Sequence, residues 1–72
     1  MSYCRFGADS DVYLFASGDG FHFYIANDTK NHAGEHYFAD TAQDALDRIK
    51  ELRISGLKIP ERAVKRLKDE MK

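Results

Sequence analysis

Asp11-Val12-Tyr13-Leu14-Phe15-Ala16-Ser17-Gly18-Asp19-Gly20-Phe21-His22-Phe23-Tyr24-Ile25-Ala26 is the stretch that decides the fold. Residues 11–16 and 21–26 are rich in β-branched and aromatic types, which favour a pleated, half-buried surface. Between them, Ser17-Gly18-Asp19-Gly20 supplies residues that tolerate the positive φ angles of hairpin turns. The pattern predicts a β-hairpin. A two- or four-residue loop gathers Val12, Leu14, Ala16, Phe21, Phe23 and Ile25 on one face. Tyr13, Phe15, His22 and Tyr24 then share the other. A three-residue loop would slip the register by one and exchange the partners. The first arrangement is preferred, because it separates a purely apolar face from one whose aromatics mostly carry polar tips.

Downstream, Asn27 to Gly34 reads as a polar loop, and Glu35-His36-Tyr37-Phe38-Ala39 as a third strand. Asp40-Thr41 is a helix start. Asp40 as N-cap has Gln43 three residues on, a loose capping box; Thr41 as N-cap has Asp44. Ala42, Ala45, Leu46, Ile49 and Leu52 recur at helical spacing, and Gly56 is a natural stop. Leu57-Lys58-Ile59 connects to a second helix, with Pro60 at its first position. Ala63, Val64, Leu67 and Met71 mark that helix's apolar stripe. Upstream, Tyr3-Cys4-Arg5-Phe6 can add a short edge strand. The expected fold is α+β: a three-stranded antiparallel sheet, a hairpin plus a third strand, followed by two helices packed on one face.

Seventy-two residues make a single domain, residues 1–72. A core of this size commonly supplies only ~3–5 kcal/mol without a disulfide, a metal or a partner subunit. The composition, 43% hydrophobic and 32% charged, is that of a globular chain and argues against disorder. Cys4 is the only cysteine, so no internal disulfide forms, whereas small secreted domains carry several. Met1 to Gly7 has no apolar signal core, and no apolar run approaches membrane-spanning length. The expectation is a cytoplasmic domain without membrane contact.

Charge is unevenly spread. Residues 1–47 hold two bases against eight acids, a net of −6; residues 48–72 hold nine bases against four acids, a net of +5. The sheet half is acidic and the helical half basic.

Two ends of the chain carry a resemblance. Met1-Ser2-Tyr3-Cys4-Arg5-Phe6, followed by Asp11-Val12-Tyr13-Leu14-Phe15, resembles the opening of a group of small uncharacterised bacteriophage and prophage proteins. These begin MSYCR and soon enter a DVYVY-like strand. Leu52-Arg53, Gly56-Leu57-Lys58-Ile59-Pro60 and Ala63 match their closing LR..G..(V/I)P..A pattern. The resemblance covers nearly the whole chain, and residues 27–36 depart from it. It implies a phage or prophage origin and carries no catalytic residues. Phage proteins of this size are often accessory factors that bind a host protein, some of them blocking CRISPR or restriction systems.

Several constellations have a chemical reading and a plainer one. His32 and His36, with Cys4 and a carboxylate such as Glu35 or Asp28, could supply four zinc ligands. The pair straddles Gly34, however, and a loop histidine beside a half-wet strand histidine is the stronger reading. Cys4 as nucleophile needs a nearby base and a lowered pKa, and the local sequence offers neither. A small, half-buried apolar cysteine is expected. Asp9 and Asp11 form a D-x-D without the Gly and later Glu of a calcium loop, and read as solvated acids at a strand entry. Phosphate-binding, nucleophile-elbow and dinucleotide motifs are absent from the sequence. No catalytic residue, metal or cofactor is assigned, and the chain is expected not to be an enzyme.

Two surfaces remain. Tyr13, Phe15, His22, Tyr24 and Tyr37, rimmed by acids such as Asp11 and Asp19, are the expected partner-binding face, since Tyr-rich exposed surface typifies protein contacts. The acidic half could meet a basic groove on a host complex that handles nucleic acid. The plainer reading is a homodimer that completes a small core. The second surface is Arg62, Lys65, Arg66 and Lys68, an alternative phosphate-contacting set. Glu61, Asp69 and Glu70 interleave with it, and a solvated helix face is the stronger reading. The expected function is a small non-enzymatic phage-type protein that binds and inhibits a host protein. The alternatives are a nucleic-acid-associated factor and a structural homodimer.

Overall fold

Alternation along the hairpin places every second residue on the same side, and the rest of the chain is arranged to cover one of those sides. The computed structural model describes residues 2–29 and 32–71. Met1 of the opening motif, Lys30 and Asn31 of the polar loop, and Lys72 of the basic tail lie outside them. Four strands, β1 (Ser2–Cys4), β2 (Val12–Ser17), β3 (Gly20–Ile25) and β4 (His36–Ala39), form one antiparallel sheet in sequence order. Two helices follow, α1 (Ala42–Ile54) and α2 (Glu61–Glu70). The α+β class holds. The sheet has four strands rather than three, because residues 2–4 pair with β2 and close its free edge.

The hairpin takes the two-residue loop. Val12 opposes Ile25, Leu14 opposes Phe23, Ala16 opposes Phe21, and Ser17 opposes Gly20 across Gly18-Asp19. The positive φ falls on Gly20, at +141°, not on the two loop residues. A Cβ there would lie 2.6 Å from the Ala39 carbonyl oxygen and 2.8 Å from the Phe38 ring. Only glycine fits both this backbone angle and the close approach of β4.

β1 pairs irregularly. Ser2 opposes Phe15 and Cys4 opposes Leu14, so β1 has an extra residue against β2. The bulge lets consecutive residues, Tyr3 and Cys4, both point into the core, where strict alternation would expose one of them. Cys4 is buried and its thiol donates to the Val12 carbonyl (3.4 Å). Buried Ser10 donates to that same carbonyl (2.7 Å) and accepts from the Val12 N–H (3.2 Å).

Thr41, not Asp40, caps α1: its hydroxyl accepts from the Asp44 N–H at 3.1 Å. Ala39 is still paired with Phe21 in the sheet, so the chain leaves its extended path late and Thr41 reaches the cap position. The other end is a Schellman stop. Gly56 (φ +100°) donates to the Arg53 carbonyl at 3.0 Å, and Leu57 to the Leu52 carbonyl at 3.1 Å. Pro60 is the N-cap of α2 rather than its first helical residue.

Both helices cover one face of the sheet, α1 beside β4 and α2 beside β1. The core is Tyr3, Cys4, Val12, Leu14, Phe23, Ile25 and Ala39 from the sheet, Ala45, Leu46, Ile49 and Leu52 from α1, and Ala63, Val64 and Leu67 from α2. Leu57 and Ile59 of the connection close one end. Met71, expected on the α2 stripe, is instead 47% exposed just beyond the last turn. Among the described residues no helix is long and apolar enough to cross a membrane.

Candidate interaction surface

The face of the sheet without helices is paved with rings. Tyr13 opposes Tyr24 and Phe15 opposes His22 across β2 and β3; Tyr24 opposes His36 and His22 opposes Phe38 across β3 and β4. Cross-strand neighbours stand close enough for aromatic contact. Tyr24 and His36 stack with centroids 4.4 Å apart, Phe15 and His22 at 5.2 Å, and His22 and His36 at 5.4 Å. Phe38 meets His22 edge to face at 5.2 Å. At the other end Phe6, from the β1–β2 connection, meets Tyr13 edge to face at 6.0 Å, and the Arg5 guanidinium lies 6.0 Å from the Tyr13 ring. Seven rings are thus linked across three strands and a loop.

The surface is open. Phe6 is 50% exposed, Phe38 43% and Tyr24 41%. Such large apolar groups rarely stand clustered in solvent without a contact role.

One end of the face is polar. His22 Nε2 lies 3.0 Å from Asp19 Oδ1 and 3.1 Å from Ser17 Oγ, and His22 Nδ1 lies 3.2 Å from His36 Nε2. A carboxylate only accepts, so the proton of neutral His22 belongs on Nε2, and His36 then donates to Nδ1. The Ser17 hydroxyl, and after it the His22 ring, hold the Asp19 carboxyl down at about 2, below its ordinary 3.8. Asp19 is therefore a fixed negative charge at the hairpin tip. Beside Phe38, a hollow at the β4–α1 corner is lined by Asp40, Asp44, Asp47 and Glu51, with Arg48 their one cation. The aromatic face is acidic along this edge as well.

Four expected face residues, Tyr13, Phe15, His22 and Tyr24, lie together on it, with Asp19 at its rim. Tyr37 does not. It pairs with Phe23 and lies on the helix side, partly buried against the core, with the Arg48 guanidinium 4.6 Å from its ring. Burial, and after it the Glu35 carboxylate that accepts from its hydroxyl at 3.0 Å, raise the Tyr37 pKa. Asp11 is also committed elsewhere: its carboxylate accepts from the Lys58 N–H (2.8 Å) and its own N–H donates to the Lys58 carbonyl (2.8 Å). It ties the start of β2 to the connection between the helices. His36, Phe38 and Phe6 take the places that sequence reading had not given them. In His-Tyr-Phe-Ala, where three of four residues are rings, nothing local says which ring faces which way.

The basic set of α2 is divided. Arg62 donates to the Asp9 carboxylate, which it holds below its ordinary pKa. Arg66 donates to the Ser2 carbonyl at 3.0 Å and lies 5.5 Å from the Tyr3 ring. Lys68 faces α1, and Lys65 is exposed. The candidate zinc ligands are also dispersed: Cys4 is in the core, His36 on the open face, and His32 in the loop against Glu35. Among the described residues no three His, Cys, Asp or Glu side chains are grouped to hold a metal ion. Comparison with protein-family models, with curated proteins and with solved structures gives no match.

Proposed function

We propose that this chain is a non-enzymatic binding module of phage type, which docks on a host protein through the open aromatic face and inhibits it by occlusion. The observation that supports this reading is the linked set of seven rings, three of them 41–50% exposed, on a sheet whose other face is fully used by the core. Aromatic residues dominate the energy of protein contacts because they bury large, rigid surfaces at low entropic cost. The acids at Asp19 and along the β4–α1 corner fit a basic partner surface. A nucleic-acid-binding groove on a host defence complex, of the CRISPR or restriction type, has that character, and charge complementarity would speed docking. The resemblance of both chain ends to phage proteins points the same way, and the setting is then the host cytoplasm.

Most of the described cations lie on the helices, behind the sheet face that carries the rings, which weighs against a nucleic-acid strand as the direct ligand. Stacked bases need phosphate-neutralising side chains along the same track. Here Arg5 is the one described Lys or Arg in contact with a ring of the open face.

The test is a pull-down of the tagged protein from nuclease-treated host lysate, read by mass spectrometry, beside the Tyr24→Ala/Phe38→Ala variant. One stoichiometric host protein, recovered by the parent and lost by the folded variant, is the expected result. Recovery by both equally would remove this face from consideration. A concentration-dependent mass without a host protein would move the reading to a homodimer.

A further inference from the structure

The second unpartnered feature lies on the other side of the molecule. Antiparallel α1 and α2 leave a groove between them, with a volume of about 440 Å³. Its floor is Leu46, Ile49 and Val64, with Met71 at one end. Leu46 and Val64 are core residues that keep 7% and 8% of their surface exposed, Ile49 is almost fully buried beneath them, and Met71 is 47% exposed. The ten residues of α2 give the groove a length of about 15 Å, two to three turns of a helix laid along it.

The walls are cationic. Arg53 is spent within the fold: its guanidinium donates to the Ile59 carbonyl at 2.6 Å and lies 3.9 Å from Glu61, the one acid on the rim. Lys50 on the α1 wall and Lys68 on the α2 wall remain, and no described carboxylate lies within ion-pair distance of either. An apolar floor between two uncompensated ammonium groups is complementary to an amphipathic helix whose apolar stripe is flanked by acids. A basic helix would be repelled from both walls.

We infer that the α1–α2 groove is a second docking site, and that its occupant is an acidic amphipathic helix of a partner protein. The helix lays its apolar residues on Leu46, Ile49, Val64 and Met71, and its carboxylates meet Lys50 and Lys68. The domain then carries two contact surfaces of opposite charge preference, and the groove does not depend on the open face.

The experiment maps amide shifts on isotope-labelled protein with two synthetic helical peptides. Both carry leucines at i, i+3, i+4 and i+7; one is flanked by glutamates and the other by lysines. The expected result is that the glutamate peptide alone shifts the amides of Ile49, Lys50, Val64 and Lys68, and that its affinity falls as salt is raised. Lys50→Glu with Lys68→Glu should weaken it by about tenfold or more and admit the lysine peptide, since reversing rim charges exchanges the preferred partner. Tyr24→Ala/Phe38→Ala should leave it unchanged. Equal binding of both peptides, shifts confined to the aromatic face, or no shift at all would overturn the inference. So would concentration-dependent shifts at the groove without peptide, which would make a second copy the occupant.

Discussion

The two faces of the sheet are built from the same strands and have opposite fates. Phe23 is fully buried beneath the helices, while Tyr24, its neighbour in sequence, has 41% of its surface in solvent. Val12 and Leu14 belong with the first, Tyr13 and Phe15 with the second. Side-chain alternation lets one hairpin supply both a core and an exposed ring surface, so the surface is held rigid by the packing behind it. The comparison teaches that hydrophobicity alone does not say which residues hold the fold. Parity along the strand does.

Substitutions at adjacent positions test this. The largest effect is expected at Phe23→Ala, which should cost about 3–5 kcal/mol by opening a cavity against both helices, and unfold the domain in urea titration. Tyr24→Ala, one position on, should cost under about 1 kcal/mol by the same titration, because much of its ring is wet already. Comparable losses at the two positions would break the distinction between the faces. Next is Gly20→Ala, where a Cβ meets the Ala39 carbonyl at φ +141°. A loss of about 1–3 kcal/mol is expected in thermal melts. Gly18→Ala, with nothing within 4 Å of its added Cβ, is the control and should be close to neutral. Asp11→Ala removes the carboxylate that holds the Lys58 N–H and should cost about 1–2 kcal/mol, a structural loss at a residue whose sequence position suggested a contact role.

The smallest effect is electrostatic. Asp19 titrates at about 2 in the fold and ordinarily at 3.8, so its bonds to Ser17 and His22 stabilise the protein fully above about pH 4. That contribution is lost as the pH falls toward 2. Asp19→Asn should flatten this part of the acid-stability curve by lowering stability slightly above about pH 4 and leaving it nearly unchanged near pH 2. An unaltered acid slope would mean that Asp19 is not held as a fixed charge beside the rings.

The hairpin, its register and both helices were legible because their signals are periodic: alternation over 12–16 and 21–25, helical spacing over 42–52 and 63–67. What escaped lies where periodicity is too short to read. β1 is three residues long and bulged, so Tyr3 and Cys4 share a side that alternation would have divided between them. The register of β4 is set by the loop before it, where His32 (φ +64°) and Gly34 (φ +74°) turn the chain and Gly34 donates to the Ile25 carbonyl at 3.2 Å. Reversing that parity moved Tyr37 inside and brought His36 and Phe38 out. Long-range pairing was equally invisible: nothing near Arg62 or Arg66 in sequence reveals that Asp9 and Ser2 will meet them.

The contact between β1 and α2 has a further consequence for how the structure is reached. The Tyr3 hydroxyl donates to the Glu70 carboxylate and Arg66 to the Ser2 carbonyl, across separations of 67 and 64 residues. Burial, and after it that carboxylate, raise the Tyr3 pKa well above its ordinary value. On a ribosome, residues 2–4 emerge nearly sixty residues before the first turn of the helix that seals them. Tyr3 and Cys4 must therefore wait, uncovered, until α2 has cleared the exit tunnel. The hairpin can form early, but the β1 contacts are sealed only after α2 has emerged.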